Sequence, residues 1–162
     1  MKSNKTGKVE ESCNVFVYGT LLFDDIVRSL TGKTFSSDKA TLNDYRRCCI
    51  SDPSRDAKGP AIIFEPGNIV EGRVLYNVDP ATLYILDLFE LAASGYERVG
   101  GQVIRSDGTN VDVEFFRATD AIMQFLSSDD WSVSGFREAY LYHYVNERIP
   151  ALRLKWQQNG EI

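Results

Sequence analysis

A chain of 162 residues with 43% hydrophobic and 12% aromatic content can bury one real core, and two domains would be crowded. Its net charge of -5 sets the average surface against a nucleic-acid backbone or an anionic membrane as principal partner. No apolar run approaches the ~20 residues that would span a bilayer.

Residues 1–12 are polar where a signal peptide would carry an apolar centre, so they read as a flexible tail on a soluble, cytoplasmic protein. A short strand at 15–18 then halts at Gly19-Thr20. A helix is expected at 24–30, ended by Gly32. Further strand-like runs fall at 40–50, 61–65, 70–78, 96–105 and 111–117. Within them, EPGN at 65–68 and SDGTN at 106–110 carry the Pro-Gly and Asp-Gly punctuation of hairpins, which makes neighbouring strands antiparallel. The long polar loop is SDPSRDAKGP at 51–60. Helices are expected at 80–91, at 120–126 and at 134–148, where Pro150 stops the last. Six strands in mostly local order with a few helices predict an α+β fold whose sheet curls toward a small barrel.

Chemistry-bearing residues are few. Cys13, Cys48 and Cys49 are odd in number and lack CxxC spacing, so they read as reduced thiols and not as a disulfide or zinc framework. His143 is the single histidine, and any His-dependent triad must pass through it. It lies in a helical stretch that suggests a structural or solvent-facing role.

Two stretches stand out. In the helix expected at 80–91, Asp79 is a good N-cap and Pro80 suits the first position. Leu83, Leu86 and Glu90 fall at i, i+3 and i+7, so the Glu90 carboxylate shares a face with core-seeking leucines. Burial and the negative end of the helix dipole both push such a carboxyl upward, toward general acid/base chemistry. Alternatively Glu90 snorkels from a frayed helix end. Asp87, one turn earlier, reads as an exposed or capping-type partner that could repel it. Gly19, for its part, is either a plain turn or the start of a nest in which the N–H groups of Gly19, Thr20 and Leu21 converge on an anion. The helix opened by Asp24 and Asp25 would add its positive end.

Taken in order, Tyr18-Gly19-Thr20-Leu21, Gly59-Pro60-Ala61, VEGRVLYNVD at 70–79, LDLFE at 86–90 and YERV at 96–99 resemble the γ-glutamylcyclotransferase-like family. That family includes γ-glutamylamine cyclotransferases and the plant avirulence-induced-gene proteins. The resemblance runs over residues 14–118. It implies a small mixed, largely antiparallel barrel with flanking helices over residues 13–126. The resemblance does not cover residues 127–162, which read as a helical extension packed on the same domain, with the stripe of Phe136, Tyr140, Tyr144 and Ile149 facing the barrel or a partner. It also implies a substrate-binding loop at Tyr18, Gly19, Thr20 and Leu21, a catalytic Glu90, and Tyr18 and Tyr96 flanking the pocket. The implied reaction cyclises a small-molecule γ-glutamyl amine or peptide to 5-oxoproline and needs neither cofactor nor metal. The oligomeric state, monomer or weak dimer, is open. Leu91 departs from the family's pattern, which has glycine after the glutamate. The rival readings are a non-catalytic binding module, a protein-interaction domain working through the C-terminal helix, and a thiol enzyme using Cys48 or Cys49.

Overall fold

The computed structural model describes residues 11–51, 59–90, 95–127 and 129–162. Strands β1 (Cys13–Val17), β2 (Ser37–Ile50), β3 (Gly59–Val78), β4 (Tyr96–Arg105) and β5 (Asn110–Ala118) pair in the order β3-β1-β5-β4-β2, and β2 pairs again with β3. The ring therefore closes into a five-stranded barrel. It is mixed: β1 and β5 run parallel through Val15 and Glu114, while the other pairings are antiparallel.

Alternation along the strands splits the apolar residues into two cores. Phe16, Leu42, Val70, Val74, Val103 and Phe115 fill the barrel. Val15, Val17, Ile50, Leu75 and Val78 cover its outside together with helices α1 (Asp24–Thr31) and α2 (Pro80–Glu90). The same outer core takes in residues of the C-terminal helices, α4 (Val133–Ala139), α5 (Leu141–His143), a π-helical turn (Tyr144–Arg148) and α6 (Ile149–Gln158).

Several expected elements stand as read. SDGTN closes the β4–β5 hairpin, with Gly108 at φ 84°. Gly32 ends α1 in the left-handed region at φ 71°. Asp79 caps α2: its carboxylate accepts from the Thr82 N–H at 3.2 Å and the Thr82 hydroxyl at 2.6 Å.

Three expectations are corrected. EPGN is not a hairpin, because β3 runs unbroken from residue 59 to 78 along β2. Residues 65–68 bulge opposite the single Asp44, whose carboxylate accepts from the Gly67 N–H at 3.0 Å. The helix expected at 120–126 stops early as α3 (Asp120–Met123), because Leu126 and Ser127 form a short strand, β6, on Ile50 and Cys49. Nor does Pro150 end the last helix. The chain stays helical through the π-helical turn, and Pro150 lies in the first turn of α6, directly after it. Residues 1–10 of the expected tail and most of the 51–60 loop lie outside the described residues, as does Leu91.

Candidate active site

β1 ends at Val17, and the chain turns through Tyr18 and Gly19 into a 3-10 turn (Thr20–Leu22). That turn is closed by the Leu22 N–H on the Gly19 carbonyl at 2.9 Å and the Phe23 N–H on that of Thr20 at 3.4 Å. The N–H groups of Gly19, Thr20 and Leu21 precede these bonds and take no part in them, as at any helix start. Opposite the loop stands the C-terminal end of α2. Leu83 and Leu86 are buried there, and Glu90, on their face, is half-buried.

The two elements meet. One cavity is lined by Phe16, Val17, Pro60 and Phe116 together with Tyr18, Gly19, Thr20, Leu21 and Glu90. Its volume is about 20 Å³, room for about one water molecule. A bound organic group therefore needs the lining to open.

The tyrosines differ in placement. Tyr18 lines the cavity and is buried, and its hydroxyl donates to the Phe116 carbonyl at 2.5 Å. Its phenol is raised well above the ordinary range, first by burial and then by the nearby Tyr96 and Glu90. Tyr96 stands one layer back: its hydroxyl donates to the Pro60 carbonyl at 2.6 Å, so it supports the cavity wall through Pro60. Phe16, Val17, Pro60 and Phe116 are the lining residues that reading the sequence for chemistry missed, since none carries a reactive group; only the Gly59-Pro60-Ala61 motif hinted at Pro60.

Asp87 does not play the expected exposed part. It is half-buried, with Oδ1 3.1 Å from Nε of Arg98, whose guanidinium also meets Glu114 at 2.6 Å. Arg98 thus offsets the charge that could have repelled Glu90.

The thiols are ill suited to nucleophilic work. Cys48 and Cys49 are buried, and burial pushes Cys48 up to about 11. Cys13 is pushed to about 12, by burial and then by Glu114. A thiol held neutral is a poor nucleophile. His143 does not line the cavity; it is exposed, with Nδ1 2.9 Å from Glu147. Among the described residues no cluster of three His, Cys, Asp or Glu side chains could hold a metal ion, and no helix is long and apolar enough to cross a membrane.

Known proteins resemble this chain in sequence and in fold. The family model described as gamma-glutamyl cyclotransferase, AIG2-like, matches residues 15–156, reaching well past the 14–118 stretch that carries the motifs. An Arabidopsis thaliana AIG2-like protein D is 37% identical over 97 residues, 60% of this chain and 60% of that one. Protein AIG2 C of the same plant is 30% identical over 112 residues, 68% and 64% of the two chains. The chain thus spans about three-fifths of the length of these curated relatives. Among solved structures, an Arabidopsis thaliana protein determined in solution is 25% identical, covers 97% of this chain and 92% of its own, and superposes with a TM-score of 0.59. A structure titled gamma-glutamyl cyclotransferase superposes at 0.62 over 87% of this chain and 88% of its own, and at 20% identity it speaks for the fold.

Proposed function

The chain belongs to the gamma-glutamyl cyclotransferase, AIG2-like family, and from that premise we propose that it cyclises a γ-glutamyl amine or γ-glutamyl peptide to 5-oxoproline and releases the free amine. The observation that carries this reading is the cavity shared by Glu90 and residues 18–21. A non-catalytic module on the same fold would be favoured by an exposed Glu90 with no pocket joining it to the loop.

A γ-glutamyl substrate brings its own nucleophile, since attack of its α-amino nitrogen on the γ-carbonyl carbon closes a five-membered ring. Proximity is therefore supplied largely by the substrate, and the enzyme's work is to move protons and to stabilise charge. At neutral pH the α-ammonium cannot attack. The Glu90 carboxylate takes one proton from it, and the freed amine adds to the carbonyl. The resulting oxyanion, or the substrate's own carboxylate, is held by the N–H groups of residues 19–21. The C–N bond to the leaving amine then breaks as Glu90 returns the proton to it. The second proton shed by the ring nitrogen is taken up by the released amine. One carboxylate thus serves in turn as base and acid.

The test is to incubate the purified protein with γ-glutamyl amines, γ-glutamyl dipeptides and glutathione and to measure 5-oxoproline. Glu90→Gln keeps the side chain's shape and is expected to lower turnover by roughly 10²–10⁴-fold. Equal product from the variant would remove Glu90 from the mechanism, and no product from any substrate would remove the reaction.

A further inference from the structure

We infer that Arg47 is a positioning residue for the Tyr18–Gly19 peptide, acting from outside the cavity; the inference rests on the reading just given. Arg47 lies on β2, and its Nη1 donates to the Tyr18 carbonyl at 3.1 Å. The guanidinium is itself held, with Nε 3.4 Å from Asp130 Oδ1 and Cζ 5.5 Å from the ring centre of Trp131. Trp131 is buried and Arg47's side chain is only 23% exposed, so the fork has little freedom. Asp130 is 66% exposed, and that ion pair serves to orient Arg47 more than to stabilise the fold.

Peptide geometry turns this contact into a statement about the cavity. The Tyr18–Gly19 bond is trans, and in a trans peptide the C=O and the following N–H point in opposite directions. Arg47 belongs to an outer groove that it lines with Leu22, Arg73 and Asp130, whereas Gly19 lines the cavity with Glu90. With the Tyr18 carbonyl turned toward Arg47, the Gly19 N–H is turned the other way, toward the cavity. A charge-assisted bond on the carbonyl also polarises the peptide and makes that N–H a better donor. Arg47 therefore aims and strengthens one amide of the nest without touching substrate. It also ties the nest to the Asp130–Trp131 segment just before α4.

The test uses the full chain with Arg47→Gln and Arg47→Lys and two readouts. The first, independent of any reaction, is the Gly19 amide in 15N-labelled protein. Arg47→Gln is expected to move its resonance and quicken its hydrogen exchange, and Arg47→Lys, which keeps a charged donor, to do so less. The second is turnover on whichever γ-glutamyl substrate the wild type accepts. There Arg47→Gln should lower kcat/KM by about tenfold to a hundredfold, the scale of a misplaced catalytic contact, with partial rescue in Arg47→Lys and little change in Tm. An unmoved Gly19 amide in Arg47→Gln overturns the proposal, and so does a kcat/KM that falls only as far as Tm does. A wild type inactive on every substrate refutes the cyclotransferase reading instead, and the amide readout still decides the role of Arg47.

Discussion

A Cβ placed on Gly19 would lie 2.3 Å from Cγ and 2.6 Å from Cβ of Pro60. The glycine that follows β1 is thus required by a neighbour from β3 as well as by any anion it faces. Gly19→Ala must push the loop off Pro60, and overpacking of this kind costs typically 1–3 kcal/mol. We expect a lowered Tm and loss of turnover. Because both clashing atoms belong to one side chain, adding Pro60→Gly should restore part of the stability. A double variant no more stable than Gly19→Ala alone, by thermal unfolding, would contradict this contact.

Tyr18 separates a structural from a chemical hydroxyl. Its O–H serves the Phe116 carbonyl on β5, joining the cavity loop to the opposite wall. Tyr18→Phe leaves that carbonyl without its donor, at a cost of about 1–3 kcal/mol. The ring still fills the cavity wall, so turnover should stay within a few-fold of wild type. A hundredfold loss at unchanged Tm would instead make the hydroxyl a participant.

What could be read from the chain and what could not divides along local and non-local lines. Asp79 and Pro80 are local signals, and the α2 start is where they put it. The placement of Glu90 on the Leu83–Leu86 face follows from helical period alone. EPGN misled because Pro-Gly marks a bulge as well as a turn, and the choice lies with β2, which runs past on both sides. The two residues of β6 are too few to show a period. The Asp87–Arg98 pair and the Gly19–Pro60 contact each join two different elements, and no pattern in either neighbourhood announces them.

The α2 cap gives a pH prediction. Asp79 is lowered from 3.8 to about 2, first by the Thr82 hydroxyl and then by Lys33, 3.1 Å away. Its folded value lies below its unfolded one, so its contribution is complete above about 3.8 and disappears as pH falls through about 2. Lys33 is half exposed and its share is screened. Asp79→Ala should therefore cost about 1 kcal/mol at neutral pH, the usual value of an N-cap. The gap between variant and wild type should close on acidification toward pH 2. A gap that persists unchanged there, by urea unfolding, would rule out the charged carboxylate as its source.

The C-terminal helices are part of the same core as the barrel's outer face. Phe136 of α4 is 5.4 Å, ring centre to ring centre, from Phe23, the residue that leads from the cavity loop into α1; it also meets Trp131 at 5.7 Å and Tyr144 at 5.0 Å. Ile149 and Trp156 are buried in the same cluster. Phe136→Ala should cost about 3–5 kcal/mol, enough to lower Tm by many degrees in a chain of this size. Deleting residues 134–162 exposes the Phe23 side of α1 and the outer barrel face together. The truncated chain is expected to lose its cooperative thermal transition, and its turnover with it. A truncated protein that unfolds cooperatively near the wild-type Tm would show these helices to be an appendage, and only then would loss of a binding partner on deletion speak for an interaction surface.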